Sequence, residues 1–302
     1  MLPIRFRYFV SFVLRQGLNN TYRHYVKNRL YEVPMLSQNL AGQTSVTDSK
    51  QYETYLYLCS LATDNQKIFD NFRSSKPIFE AIDHVSLVQA KLFLKAILKK
   101  SDFGPEISKC LYDIDSLGNP RKYKFTRYGV YSPLSLRYLN TYLNLKDHFG
   151  SLNNLNIVEI GGGFGGQAGL ISKLSQPSTY RLYDLPVVIK LQEKFIKSLS
   201  VPGKFFFYSK PENLNAQIDL VISNYAFSEL SKDTQDHYLQ NIILKSPKGY
   251  ITWNKLGHKF CGGYSLAELI RIIPNSQIFP DNPNFDSSNN LIVWGSSKKL
   301  DA

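Results

Sequence analysis

The chain has 302 residues, 43% of them hydrophobic, and a formal net charge of +12. That length and apolar content imply a folded protein of one large domain or a catalytic domain with an extension, and the basic balance favours an anionic partner: nucleic acid, a membrane face, or an acidic small molecule. Three cysteines, Cys59, Cys110 and Cys261, lie far apart with no C-x-x-C pair, which argues against a disulfide framework and a cysteine zinc site and fits a reducing, cytoplasmic setting.

From Met1 to Tyr31 the chain carries Arg5, Arg7, Arg15, Arg23, Lys27 and Arg29, with Phe6, Phe9, Phe12, Val13 and Leu14 between them. The apolar run is too short for a bilayer span, and no small-residue cleavage site follows it. A basic helix is expected, either packed on the domain or held peripherally at the inner membrane face. From Tyr52 to Phe149 the signals are helical. Ala81, Val85, Val88, Leu92 and Ala96 recur at the spacing of one helix face. A turn-rich segment starting at Asp115 and a second at Gly129 lead into a helix with Leu136, Leu139 and Leu143.

After Gly150 short apolar runs alternate with helical patterns. Strands are expected at Leu155–Ile160, Tyr180–Tyr183, Lys204–Tyr208, Ile218–Ser223, Tyr250–Trp253, Gln277–Phe279 and Leu291–Trp294. Val187, Leu191, Phe195 and Leu199 mark a helix between the second and third. Such alternation implies a mostly parallel sheet covered on both sides. Pro280 to Asn290 is too poor in apolar residues for a crossover helix, so the last two strands should form an antiparallel edge hairpin. The fold expected is α/β and Rossmann-like. Residues 1–150 form an α-helical extension that covers the substrate, and residues 151–302 form the cofactor-binding domain.

The segment from Asn156 to Ala168 runs strand, glycine-rich turn, helix, which lets backbone approach a ligand at the carboxyl end of the sheet. Gly161, Gly163 and Gly166 also satisfy the dinucleotide pattern G-x-G-x-x-G, so the neighbours must discriminate. Glu159 puts a carboxylate at the end of a buried strand, where a cationic or hydrogen-bonding partner is needed; in a methyltransferase it faces the methionine end of the cofactor. Asp184 ends the next strand, where a carboxylate can accept both hydroxyls of a ribose. The terminal hairpin belongs to the methyltransferase version of the sheet. Together these favour S-adenosylmethionine over NAD, with S-adenosylhomocysteine as the product and Gly161, Gly162, Gly163, Gln167, Leu185, Asn224 and Tyr225 as further cofactor contacts. Each residue also has a purely structural reading: a tight turn, a buried ion pair for Glu159, a helix cap for Asp184.

Val158-Glu-Ile-Gly-Gly-Gly-Phe-Gly-Gly-Gln-Ala, Tyr183-Asp-Leu-Pro, Ser223-Asn-Tyr-Ala-Phe-Ser-Glu-Leu, Gly118-Asn-Pro and Ser132-Pro-Leu-Ser-Leu-Arg-Tyr-Leu resemble the sugar O-methyltransferases of bacterial surface-polysaccharide loci. The resemblance runs from about Tyr112 to the C-terminus. It implies a class I methyltransferase fold, an S-adenosylmethionine cofactor, and a sugar, nucleotide-sugar or lipid-linked glycan as acceptor.

A sugar hydroxyl needs a base as its bond to methyl forms. Glu229, just after the fourth strand, is the first candidate, and His258, on a glycine-rich loop after the fifth, is the second. Glu229 could instead interact with a helix dipole, and His258 could be an ordinary loop histidine. No metal is expected, since Asp233 and Asp236 read as a solvated helix face. Tyr131 and Ser132 with Arg137 are the substrate candidates: a ring can stack on a sugar face, and an arginine fork can bind a phosphate. A nucleic-acid methyltransferase is the competing enzyme, but Asn224-Tyr-Ala-Phe lacks the prolines of the amino-directed base methylases. A non-catalytic glycan-complex scaffold is the alternative outside the enzymes.

Overall fold

The computed structural model describes residues 50–211, 216–255, 258, 261–281, 283 and 289–298. The basic N-terminal segment lies outside the described residues.

Nine strands are described, in two sheets. A small hairpin pairs β1 (Tyr123–Phe125) with β2 (Gly129–Tyr131). The large sheet holds β3 (Asn156–Ile160), β4 (Thr179–Tyr183), β5 (Phe205–Tyr208), β6 (Leu220–Asn224), β7 (Gly249–Asn254), β8 (Gln277–Pro280) and β9 (Asn289–Trp294) in the order β5-β4-β3-β6-β7-β9-β8. The first five in that order are parallel, and β9 runs antiparallel to both β7 and β8. This is the Rossmann-like sheet of class I methyltransferases, with the expected hairpin at its edge. The order reverses between β3 and β6, and ligands of open α/β sheets bind at the carboxyl ends beside such a reversal.

Alternation along the central strands divides the core in two. Ile157, Leu220, Ile222 and Tyr250 face one side, while Val158, Val221, Ile251 and Trp253 face the other. The first side is covered by the helical N-terminal region, whose Tyr55, Phe72, Phe93 and Leu111 belong to the same continuous core as the sheet. The two regions expected on either side of residue 150 thus share one core. Lys194, on the Pro186–Leu199 helix, donates to the carbonyls of Ala62 and Thr63 at the end of the Lys50–Asp64 helix, each at 2.9 Å.

Two local expectations need correcting. The expected single helix is two, Lys76–Ala81 and Leu87–Leu98, with Val85 in the connection between them. The Leu87–Leu98 helix buries Ala90, Phe93, Leu94, Ala96 and Ile97 and packs on the Pro133–Phe149 helix, leaving Val88 and Leu92 more than 40% exposed. Its apolar residues fit two helical faces, and packing selects the other one. The turn-rich segment beyond Asp115 also holds the β1–β2 hairpin, whose three-residue strands are too short to show alternation.

A buried polar knot fastens the Pro133–Phe149 helix. Arg73, 2% exposed, donates to Asp115 Oδ1 and to Ser132 Oγ at 3.1 Å each. Asp115 also accepts from the Ser132 amide at 2.6 Å and from the hydroxyls of Ser132 and Ser135 at 2.8 and 2.7 Å. Ser132 Oγ in turn accepts from the Ser135 amide at 3.1 Å as the helix N-cap.

Candidate active site

β3 ends in Ile160, and the chain turns at once through Gly161, Gly162 and Gly163 into the Gly166–Leu174 helix. Gly161 has φ +74°, and a Cβ there would collide with the Cβ of Ala226, at the start of the turn after β6. The methyl group of Ala226 thus occupies the place a side chain would take, and the positive φ also favours glycine. Gly163 has φ +58°, and Ile82 of the N-terminal region lies beside it, 3.2 Å from where a Cβ would stand.

Two carboxylates flank this turn. Glu159 is 2% exposed, and its Oε2 accepts from the Tyr180 hydroxyl at 2.8 Å. Its partner is a hydroxyl, not the arginine that a buried ion pair needs. Burial pushes the Glu159 carboxyl up to about 7. Half-buried Asp184 accepts from the Leu185 amide at 2.8 Å and from Gln192 Nε2 at 2.9 Å, with a backbone hydrogen bond from Gly163. Burial raises it to about 7 as well, against the pull of those donors. Leu185 is the residue that caps the Pro186–Leu199 helix.

Gln192 joins the two halves and was not visible as a site residue in the sequence. Its Nε2 donates to the Gly163 carbonyl at 2.8 Å as well as to Asp184, while its buried Oε1 has no partner among the described residues. A fully buried polar residue within the apolar stripe of Val188, Leu191, Phe195 and Leu199 was the available signal. The set is compatible with S-adenosylmethionine: a glycine turn packed closely on Ala226, Leu182 and Ile82, one carboxylate that could meet an ammonium, one with lone pairs left for ribose hydroxyls, and an orphaned amide oxygen beside them.

A small pocket, about 20 Å³ in volume and with room for about one water, lies at β6 and β7. Asn224, Tyr225, Thr252, Arg137, Gln167 and Asp281 are among the residues that line it. Gln167, 1% exposed, donates to the Tyr138 carbonyl at 3.2 Å and keeps a partnerless Oε1 among the described residues. The Arg137 guanidinium lies 5.7 Å from the centroid of the Tyr225 ring.

The structure does not bring the other candidates there. Glu229, in the Ala226–Glu229 turn, accepts from Asn254 Nδ2 at 3.5 Å and does not line the pocket. The ring of His258 lies 5.6 Å from that of Trp253, which packs on the opposite face of the sheet, and its Nδ1 sits 2.8 Å from the Gly263 carbonyl. Tyr131 is buried against Phe103 at 5.7 Å and donates to the Tyr128 carbonyl at 2.8 Å, while Ser132 is sealed in the Arg73–Asp115 knot. Of the three substrate candidates, Arg137 lines this pocket, while Tyr131 lines a second one of about 450 Å³ together with Asp115, Lys122 and Gly129. Among the described residues no group of three or more His, Cys, Asp or Glu side chains converges on a point, and no helix is long and apolar enough to cross a membrane.

No family model and no curated protein sequence matches the chain. Among solved structures it is similar to Thermoplasma acidophilum protein 1320, with 12% identity over 64% of this chain and 97% of that one and a TM-score of 0.40. It is similar to magnesium protoporphyrin IX methyltransferase of Synechocystis PCC 6803 with bound S-adenosylhomocysteine, with 14% identity over 53% and 82% of the two chains and a TM-score of 0.40. TrmK of M. capricolum in complex with S-adenosylhomocysteine is 18% identical over 50% and 66%, with a TM-score of 0.36. Likenesses this distant say nothing about individual residues or substrates. The fold is defined by the chain's own strand order.

Proposed function

We propose that this chain is an S-adenosylmethionine-dependent O-methyltransferase acting on a sugar hydroxyl in surface glycan assembly. The observation that carries the reading is the pair of carboxylates, Glu159 and Asp184, at successive strand ends on either side of a glycine turn, in a sheet closed by an antiparallel hairpin. The cofactor, when bound, supplies an electrophilic methyl group on a sulfonium. Glu159 would hold its amino group, Asp184 the ribose hydroxyls, and Gly161 to Gly163 would let the backbone come close. Asn224 and Tyr225 lie where the cofactor cradle meets the pocket.

The acceptor class rests on the resemblance in the sequence and on the pocket's chemistry. The amide and hydroxyl groups of Asn140, Asn144, Asn224 and Thr252 at this small pocket would suit a hydroxylated acceptor, and Arg137 would meet the phosphate of a nucleotide-sugar or lipid-linked sugar. Calorimetric titration of the purified protein with S-adenosylhomocysteine, beside NAD, tests the cofactor. S-adenosylhomocysteine should bind, NAD should not, and Asp184→Ala should weaken the binding about tenfold or more, the loss of one good pair of hydrogen bonds to a charged group. Binding of NAD alone would overturn the reading.

A further inference from the structure

We propose that Asp281, on the loop that leaves β8, is the general base that takes the proton from the acceptor hydroxyl. This rests on the methyltransferase reading above. Three observations place it. Asp281 lines the small pocket at β6 and β7, where neither Glu229 nor His258 does. The hydroxyl of Tyr225, another residue of that lining, donates to Asp281 Oδ2 at 3.1 Å and fixes the carboxylate there. Arg137, whose guanidinium lies 5.7 Å from the centroid of the Tyr225 ring, lines the same pocket.

The backbone shows that this arrangement is held against local preference. Side chains alternate along a strand, so the residue after Asn224 should point to the far face of the sheet. Tyr225 instead has φ +69° and ψ −34°, and both side chains line the pocket. A non-glycine residue in that region costs about 1–3 kcal/mol and persists only where its surroundings impose it. Here the Tyr225 amide donates to the Thr252 carbonyl at 3.1 Å, its carbonyl accepts from Ser228 Oγ at 2.7 Å, and its hydroxyl is fixed on Asp281. Burial and the charge of Asp281 push the hydroxyls of both Tyr225 and Tyr250 upward, so both keep their protons at neutral pH.

In the reaction the acceptor oxygen forms a bond to the methyl carbon as the carbon–sulfur bond breaks. The bonding pair leaves with sulfur, and the hydroxyl proton passes to Asp281. A base in this place must lie close to the methyl position, and binding alone can report that. Sinefungin carries an amine where the cofactor carries its methylsulfonium, and S-adenosylhomocysteine has no charge there.

Calorimetric titration of both ligands into the wild-type chain, Asp281→Asn and Asp281→Glu is the test. The wild type should prefer sinefungin by about tenfold, the effect of one nearby carboxylate on an ammonium. Asp281→Asn should lose that preference with its S-adenosylhomocysteine affinity unchanged, and Asp281→Glu should keep most of it. Equal preference in all three proteins overturns the assignment while leaving the methyltransferase reading intact. Loss of S-adenosylhomocysteine binding in both variants also overturns it, because the residue then serves the fold. If the wild type binds neither ligand, both readings fall.

Discussion

Replacing Glu159 by Gln should stabilise the protein without ligand and abolish its binding of S-adenosylhomocysteine. Glu159 is almost wholly buried, with the Tyr180 hydroxyl as the hydrogen-bond donor that faces it. Burial raises its carboxyl from 4.5 to about 7, so the folded state binds the proton more tightly than the unfolded chain does. The stability contributed by the group is complete below pH 4.5 and is lost as the pH rises through 7. A shift of that size corresponds to about 3 kcal/mol at pH 8. Glutamine keeps an oxygen for the Tyr180 hydroxyl and carries no charge. Glu159→Gln should therefore melt about 5 °C above the wild type at about pH 8, with the gap closing by about pH 4.5. Differential scanning calorimetry at intervals across that range reads both values, and repeating it with saturating S-adenosylhomocysteine should raise the melting point of the wild type only. A variant less stable than the wild type at the alkaline end, or a gap that does not change with pH, would refute the reasoning.

Gly161→Ala should destabilise the fold by about 2 kcal/mol or more in urea unfolding, because it adds a side chain at positive φ and drives it into Ala226. Pairing it with Ala226→Gly should recover the steric share and leave the conformational share of the loss. Asp115→Ala strands the buried Arg73 guanidinium without its carboxylate and should cost about 3–5 kcal/mol in the same assay, whereas Ser132→Ala, which removes a cap and one acceptor, should cost about 1–2 kcal/mol.

The five inner strands of the large sheet were legible because strands buried on both faces read as short continuous apolar runs, and the partly exposed edge strands β5 and β8 from their short apolar runs alone. Glu159 and Asp184 stood out for the same reason, as charges at the ends of such runs. A run of glycines between a strand and a helix has few other uses, so the turn and its position in the sheet could be read from local sequence.

Whatever depended on which elements meet could not be read in this way. The Leu87–Leu98 helix offers two apolar faces, and contact with the Pro133–Phe149 helix decides which is buried. Ser132 looks like a ligand in sequence, but long-range partners at Arg73 and Asp115 enclose it. Gln192 becomes a clamp only when its helix lies beside the glycine turn. Asp281 follows an edge strand in an unremarkable loop, and what brings it to the pocket is the antiparallel return of the hairpin together with the reversed backbone of Tyr225, 56 positions away. Local propensity determined the sheet and the glycine turn; the pocket at β6 and β7 is built from residues distant in sequence, and only the packing of the sheet against the N-terminal helices brings them together.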